Sequence, residues 1–543
     1  MMLRTDVVIA LLAVLAIAEP VARAPSAAAA AGDYDVTERS VAQLHGDLAS
    51  GRLTSEQLTR AYLDRIAALD VRGPSLHSVI ALDPQALDAA RRSDRLRGSG
   101  GARGPLAGIP VLVKDNIETA GGTPTTAGSE ALARNVTRRD APLVARLRRA
   151  GAIVLGKTNL SEWANIRSSA SISGWSSIGG LVKNAYVLDR SACGSSAGTG
   201  TAIAASLAAV GVGTETDGSI TCPSSVDGLV GLKPTLGLVS RSRVVPISEH
   251  QDTPGPMGRS VADVAALLTA IAGPDPRDPA TRDAGRHATD YTAGLAGASL
   301  RGKRLGVLRY AAAFAGVSEA ATFARALATL RARGAVLVEL RDFKPNATLG
   351  DAETTVLFTD LKADLDTYLA TTPPAVRSRT LAAVIDFDRR SPRELQLFGQ
   401  ETFVKAEATH GTGDAKYLAA LRACRRFART EGLDRLLDRA RLDALVAPTY
   451  GPANRIDVVD GDNLNGSVGQ LPAVAGYPHL TVPMGEDRGL PVGLSFVGRA
   501  WSEASLLQLG AAYERASHAR RPPRYLPSVE AEPGVARLLA PGV

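Results

Sequence analysis

The residues from Ser191 to Pro234 decide the fold, and they read SACGSSAGTGTAIAASLAAVGVGTETDGSITCPSSVDGLVGLKP. Two serine clusters, Gly194-Ser195-Ser196 and Asp217-Gly218-Ser219-Ile220, flank a run that is rich in alanine and glycine. Such a run predicts a buried helix that leads into a buried strand, because small side chains let neighbouring backbones approach closely. A substrate carbonyl could then approach serines held on glycine loops. Two ordinary Ser/Gly turns are the simpler interpretation.

Lys114 gives the serine clusters a possible chemical role. Residues 108–113 form an apolar run that predicts a strand, and Lys114 follows it directly. Burial at such a position favours the neutral amine, which can accept a proton. A serine hydroxyl is a weak nucleophile unless a base stands beside it. Lys114 with two serines therefore supplies a nucleophile and a base without a histidine.

The chain resembles the amidase signature family in several motifs. These are Lys114 in the context VKD, the cluster GSSAG, the cluster TDGSI that places Ser219 24 positions after Ser195, and the segment GLKPT at 231–235. Within that family, TETDGSI and the segment QDTPGPM at 251–257 are similar to the bacterial peptide amidases. The resemblance extends from about Tyr34 to about Ala516.

The resemblance implies a role for each serine and for the lysine. Ser219 would be the nucleophile, Ser195 the bridging serine and Lys114 the base, in a Ser-Ser-Lys triad that forms an acyl-enzyme. The peptide bond before Ser195 would be cis. Gly194 and Ser196 would support the site. The backbone N–H groups that would surround the oxyanion belong to Thr216, Asp217, Gly218 and Ser219.

The order of elements predicts one large α/β domain. A strand at 108–113, a helix at 142–150 and a strand at 152–155 form a βαβ unit, which indicates a parallel arrangement. With the resemblance, we expect a central mixed, largely parallel sheet covered by helices on both faces. The amidase domain would span 32–543, with a catalytic core at about 100–275, a helical insertion near the pocket at about 350–440 and returning strands at about 441–500.

The residues after Ser219 bear on the substrate. Many relatives carry an arginine two or three positions after the nucleophile, where this chain has Thr221 and Cys222. Without that cation, a substrate with a free carboxylate near the scissile bond would bind less well. We therefore expect hydrolysis of a neutral carboxamide, above all the C-terminal amide of a peptide. Other small or aryl amides are an alternative, as are a glutamine amidase with partner subunits and an exported amide-binding protein without catalysis.

Composition narrows the possible partners. The chain is 45% apolar and 22% charged, and its formal net charge is +7. The densest basic run, 134–149, places arginines at helical spacing without interleaved aromatic residues, which predicts a solvated helix face and not a nucleic-acid site. No cluster has metal-ligand spacing, and we expect no cofactor. The sequence does not predict the oligomeric state.

Residues 1–31 are typical of a secretory signal peptide. Arg4 precedes the apolar stretch 7–18, and small residues crowd 22–31, with cleavage expected within 28–31. The protein would then be exported, either periplasmic or secreted, without stable membrane association after cleavage. A short uncleaved anchor is the alternative.

The chain has three cysteines, too few for a disulfide framework. Cys193 and Cys222 would lie near each other in a folded site, and we expect them to be buried free thiols, although an exported protein could oxidise one pair. Cys424 is expected in the core.

Two further motif matches would suggest other functions. Residues 151–158 fit the phosphate-loop pattern G-x-x-x-x-G-K-T, but a helix precedes the motif and its interior favours a strand. Residues 194–198 fit the G-x-S-x-G elbow with Ser196 as the nucleophile, yet that interpretation leaves Lys114 and Ser219 without a role. We expect neither function.

Overall fold

The computed structural model describes residues 34–101, 104–312, 316–463 and 466–539. The predicted signal peptide, residues 1–31, lies outside the described residues. In the ranges that are described, none of the helices combines the length and apolar character that a membrane crossing requires.

Eleven strands of the described chain form one sheet, in the order β1-β3-β2-β6-β8-β7-β12-β13-β11-β9-β10, and β4 and β5 form a separate two-stranded sheet. Their bounds are β1 Val79–Leu82, β2 Pro110–Lys114, β3 Ile153–Thr158, β4 Trp175–Ser176, β5 Gly180–Leu181, β6 Val210–Glu215, β7 Val230–Lys233, β8 Thr253–Gly258, β9 Arg304–Leu308, β10 Val336–Leu340, β11 Ala444–Pro448, β12 His479–Asp487 and β13 Leu490–Val497.

The sheet is mixed. Strands β3, β2 and β6 run parallel on one side, and β11, β9 and β10 run parallel on the other. The strands between these groups pair antiparallel. The predicted α/β class with a mixed sheet is confirmed.

Helices cover the sheet, and several strands, among them β2, β3, β6 and β13, are buried along their whole length. Both faces of such strands are covered, which favours mostly apolar side chains along them. The helices are α1 Val41–Ala49, α2 Ser55–Ile66, α3 Ala86–Gly98, α4 Pro142–Arg149, α5 Ala197–Ala204, α6 Thr221–Val226, α7 Val261–Ile271, α8 Ala284–His287, α9 Val317–Ala332, α10 Leu349–Ala370, α11 Leu381–Arg390, α12 Glu401–Glu407, α13 Ala415–Arg425, α14 Asp434–Arg439, α15 Gln470–Ala475, α16 Glu503–Ser517 and α17 Pro533–Leu539.

Several local sequence patterns form the structure that they predict. Thr54 caps α2 in a capping box with Gln57, and Pro142 opens α4. The small-residue run between the serine clusters forms α5 and β6, both entirely buried. Residues 349–425 contain the four helices α10 to α13, within the segment for which a helical insertion was predicted.

Candidate active site

The site lies at one edge of the sheet, where two parallel strands end. Strands β2 and β6 are neighbours, with Val113 opposite Val212. Because parallel strands present their carboxyl ends at the same edge, Lys114 at the end of β2 meets Thr214 near the end of β6. The turn that follows β6 carries Ser219, so this pairing sets the lysine beside the serine-bearing segments.

Lys114 is fully buried and contacts only uncharged oxygen atoms. Its Nζ donates to Ser195 Oγ at 2.7 Å, to Thr214 Oγ1 at 2.9 Å and to the Thr214 carbonyl at 3.3 Å. Burial lowers the pKa of Lys114 to about 7, against the opposing effect of the Asp252 and Glu215 carboxylates. Much of this lysine is therefore neutral near pH 7 and able to accept a proton.

The first serine cluster enters the site just before α5. The Gly194–Ser195 peptide bond is cis. A side chain at Gly194 would collide with Ser161 Oγ, so glycine is required by the close approach. Ser196 Oγ donates to the Thr214 carbonyl at 3.0 Å and accepts from the Thr214 N–H at 3.2 Å. Ser196 thus ties its cluster to β6 through backbone atoms, which fits a supporting position.

The second cluster forms a tight turn between β6 and α6. Gly218 has φ +78, and a Cβ there would collide with the hydroxyl of Tyr450. Glu215 accepts hydrogen bonds from the N–H groups of Ile220 and Thr221, which holds the start of α6. Among the described residues, the N–H groups of the turn from 217 to 219 have no hydrogen-bond partner. These donors remain available for an oxyanion.

Side chains from distant segments hold the same turn. The Thr216 hydroxyl donates to Asp252 at 2.7 Å, and the Thr216 carbonyl accepts from Gln251 at 3.2 Å. Gln251 also donates to Glu353 of α10, which accepts a second bond from Gln470 of α15. The helical insertion therefore contacts the turn through a continuous chain of hydrogen bonds.

Asp217 sits within this turn, and its Oδ1 is buried without a hydrogen-bond partner among the described residues. Burial, followed by repulsion from the carboxylates of Glu353 and Glu215, raises the pKa of Asp217 well above its usual range. The charged form of this side chain, which would oppose an oxyanion beside the free N–H groups, is therefore disfavoured.

The structure places Lys114, Ser195 and Ser219 in one region, but the two serine hydroxyls are not hydrogen-bonded to each other. Lys114 and Ser195 are in direct contact, and the Ser196 N–H donates to the Ser219 carbonyl at 3.2 Å. Within the described part of the chain, no hydrogen bond joins the hydroxyls of Ser195 and Ser219. Ser219 is 8% exposed, and catalytic hydrogen bonds are often long before substrate binds.

Sequence reasoning missed Thr214, Asn116 and the residues that hold the turn. Asn116 donates to Thr214 Oγ1 at 3.0 Å and so orients the hydroxyl that contacts Lys114. Both residues stand next to motif residues, in VKDN and TETDGS, and that adjacency was a usable signal. Glu353 and Tyr450 lie far away in sequence, and no local pattern marks them.

The expectation for the cysteines is wrong. Cys193 and Cys222 are joined in a disulfide with Cα atoms 6.0 Å apart, whereas we expected buried free thiols. The cause is the meeting of the two serine clusters, which brings a residue before Ser195 against the first turn of α6. Cys424 is free and buried, as predicted.

The motifs set aside in the sequence have structural roles. Lys157 of the phosphate-loop match lies within β3, fully buried, and pairs with Asp115 at 3.2 Å. His479 contacts Ser495 at 2.6 Å, and His250 contacts Asp360 at 2.9 Å. In the described part of the structure the Ser196 hydroxyl hydrogen-bonds to backbone atoms of Thr214 and to no histidine, so no elbow triad forms there.

Comparison with known proteins identifies the class. The sequence profile of the family described as Amidase matches residues 57–507. A probable amidase of Arabidopsis thaliana is 37% identical over 91% of this chain and 93% of its own length. The chain therefore belongs to the amidase signature family, and it is a hydrolase that acts on amide C–N bonds.

Individual relatives differ in what they do. The structure of native peptide amidase from Stenotrophomonas maltophilia is 50% identical, with a TM-score of 0.84, and the match covers 90% of this chain and 99% of that one. A putative amidase of Arthroderma benhamiae is 35% identical over 85% of this chain and 79% of its own length. A component of the glutamyl-tRNA(Gln) amidotransferase of Chloroflexus aggregans is 36% identical over 89% of this chain and 98% of its own length.

Proposed function

We propose that this protein hydrolyses the C-terminal carboxamide of peptides to the free acid and ammonia. The single observation that supports this most is the fully buried Lys114 in contact with Ser195 beside the turn of Ser219. The 50% identity to a peptide amidase supports the choice of substrate.

The reaction begins with proton transfer along the two hydroxyls. Neutral Lys114 Nζ takes the proton of Ser195 Oγ, and Ser195 Oγ takes the proton of Ser219 Oγ as the latter forms a bond to the amide carbon. The carbonyl oxygen becomes an oxyanion that the free N–H groups of the turn stabilise. Each well-placed donor contributes roughly 3 to 4 kcal/mol in comparable sites.

The same relay then runs in reverse. As the C–N bond breaks, Lys114 returns a proton through Ser195 to the leaving nitrogen, and ammonia departs. The peptide remains as an ester on Ser219. Water then attacks this ester while the relay takes a proton from the water. The carboxylic acid leaves as Ser219 recovers its proton.

The two positions after the nucleophile support an uncharged carboxamide as substrate. Thr221 hydrogen-bonds to Glu215 and Cys222 is in a disulfide, so neither position supplies a cation for a substrate carboxylate.

The experiment is to measure ammonia release by the purified protein from a panel of amidated dipeptides, their C-terminal anilides and free glutamine. We expect release from the dipeptide amides, loss of release in Ser219→Ala, and measurable activity in Ser196→Ala, whose hydroxyl contacts only backbone atoms. No release from any dipeptide amide would favour the binding-protein alternative. Preferential release from glutamine would favour the glutamine amidase alternative instead.

We also propose export from the cytosol. The composition of residues 1–31 supports it, and a disulfide between Cys193 and Cys222 is typical of an oxidising compartment. The amino terminus of the protein recovered from cell fractions tests this. We expect the mature chain to begin at 29–32 outside the cytosol, and a cytosolic chain that retains residues 1–31 would contradict export.

A further inference from the structure

A cavity of about 430 Å³ lies between the segment 241–252, the helix α10 and the segment 277–279. This volume is within the range of small-molecule sites. None of Lys114, Ser195 or Ser219 lines it. The cavity nevertheless adjoins the active site, because Asp252 lines it and accepts the hydrogen bond of Thr216 in the oxyanion turn.

One side of the cavity carries a cation without a carboxylate partner. Arg243 donates to the Asp140 carbonyl at 2.7 Å, and no described carboxylate pairs with it. Arg139 and Arg277 also line the cavity, each paired with its own carboxylate. Burial, and then repulsion from Arg277 and Arg139, lowers the pKa of Arg243. An incoming anion would relieve this repulsion.

The other side carries carboxyl groups that form no ion pair with the described residues, although Arg241, which pairs with Asp278, also lines the cavity. Asp364 of α10 accepts the Glu249 N–H at 2.7 Å, and no described cation pairs with its carboxylate. The Glu249 side chain also lines the cavity and is exposed. Burial, and then repulsion from Asp360, Asp252 and Glu249, raises the pKa of Asp364 to about 7. An incoming ammonium would stabilise the charged form of this carboxyl.

We propose that this cavity binds a short peptide with both termini free, its C-terminal carboxylate at Arg243 and its N-terminal ammonium at Asp364 and Glu249. A purely anionic ligand would leave the carboxylate side uncompensated, and a purely cationic ligand would leave Arg243 uncompensated. A zwitterion satisfies both sides at once. An extended dipeptide spans roughly 7 Å, which is compatible with a cavity of this volume.

This ligand is the class of molecule that hydrolysis of a peptide amide releases. That link to the product rests on the proposed function, whereas the binding itself rests only on the cavity. A chain that releases no ammonia could still bind the zwitterion, so failure of either proposal is visible separately in the ammonia assay and in the binding assay.

The test is calorimetric titration of the full Ser219→Ala chain, in which no turnover occurs, with alanyl-leucine, N-acetyl-alanyl-leucine and alanyl-leucine amide. We expect the free dipeptide to bind and N-acetyl-alanyl-leucine to bind about 10-fold or more weakly, since it loses the charge-assisted contact of its ammonium. The dipeptide amide is the ligand proposed for the active site and serves as the reference for binding there. This comparison needs no substitution in the cavity and does not depend on how a cavity variant folds. Equal affinity for the free and the acetylated dipeptide, or no binding of the free dipeptide, would overturn the proposal.

A second titration assigns the carboxylate to its partner. Arg243→Gln should weaken the free dipeptide about 10-fold and leave alanyl-leucine amide unchanged, because the amide lacks the carboxylate that Arg243 would contact. Arg286→Gln, at an exposed arginine outside the cavity, is the matched control and should change neither. An Arg243→Gln chain that binds the free dipeptide as tightly as its parent would contradict the assignment.

Discussion

Two buried lysines at adjacent strand ends show how the surroundings of a residue decide its chemistry. Lys114 ends β2, Lys157 lies in β3 beside it, and both are fully buried. Both lysines donate to a hydroxyl and a carbonyl, but Lys157 also pairs with the Asp115 carboxylate, whereas no described carboxylate forms an ion pair with Lys114. Burial lowers the pKa of both, but of these two lysines only Lys114 contacts Ser195. Lys157 is best explained as a structural ion pair.

Single residues of the site were predictable where a motif is local. Lys114, Ser195 and Ser219 stand in short contexts that carry a chemical meaning by themselves. Thr216 was predicted only for its N–H, and its hydroxyl and carbonyl turn out to be held by Asp252 and Gln251. Such contacts depend on how distant segments meet, and residue order does not encode them visibly.

Gly218→Ala tests the oxyanion turn at the residue scale. The left-handed φ and the Tyr450 hydroxyl both oppose a Cβ at this position, so the turn must open and displace its N–H donors. We expect kcat to fall about 10²- to 10³-fold, and Tm to fall as well because an alanine at a positive φ is strained. Tyr450→Phe in the same chain removes the colliding oxygen and should restore part of the loss. Full activity in Gly218→Ala would show that the turn does not need this conformation.

At the scale of elements, the disulfide links the two segments that present the serines. Cys193 lies two residues before Ser195, and Cys222 lies in the first turn of α6, which follows Ser219. A further link between these segments is the hydrogen bond from the Ser196 N–H to the Ser219 carbonyl. The pairing was not predictable because 29 positions separate the cysteines, and spacing alone does not say whether two thiols meet with suitable geometry.

Removing the Cys193–Cys222 disulfide should destabilise the protein. We expect the Cys193→Ala/Cys222→Ala double variant to lose about 2–4 kcal/mol of unfolding free energy, measured by chemical denaturation. Cys424→Ala, at the free buried cysteine, is a control that leaves the disulfide intact. Thiol labelling of the denatured, unreduced wild type should modify one cysteine. Labelling of three would show that the disulfide does not form.

At the scale of the molecule, a buried ion cluster joins the catalytic core to the helical insertion. Arg167 pairs with Glu162 at 2.7 Å and with Glu394 at 3.1 Å, and its guanidinium lies 4.3 Å from the ring centre of Phe398. Glu394 and Phe398 lie between α11 and α12, whereas Arg167 follows β3. The cluster therefore fixes the insertion against the part of the chain that surrounds the serines.

Arg167→Met should cost about 3–5 kcal/mol of unfolding free energy, because it leaves two buried carboxylates without their cation. Arg389→Met removes an exposed ion pair of α11 and should cost less than about 1 kcal/mol. Denaturant titration of both variants gives the comparison. Equal losses in the two variants would mean that the buried cluster does not fasten the insertion.

The fold as a whole was predictable in outline. Alternating strands and helices predicted an α/β class with one mixed sheet, which is confirmed. The antiparallel centre of the sheet, with β12 between β7 and β13, was not predicted. Strand order depends on pairings between segments more than 200 residues apart, such as β7 with β12, and a local pattern cannot specify them.

The depressed pKa of Lys114 is a property of the whole molecule, since it requires a sheet, its helices and the insertion to exclude water from one amine. The neutral form accepts the proton, so activity must rise as the pH rises through the pKa. The pH dependence of kcat/KM for a dipeptide amide tests this directly. We predict a rise with a midpoint at about pH 7, as burial of Lys114 requires. A rate that is flat from pH 5 to 9, or that still climbs towards the pKa of a solvated lysine at about 10.4, would contradict a buried neutral lysine as the base.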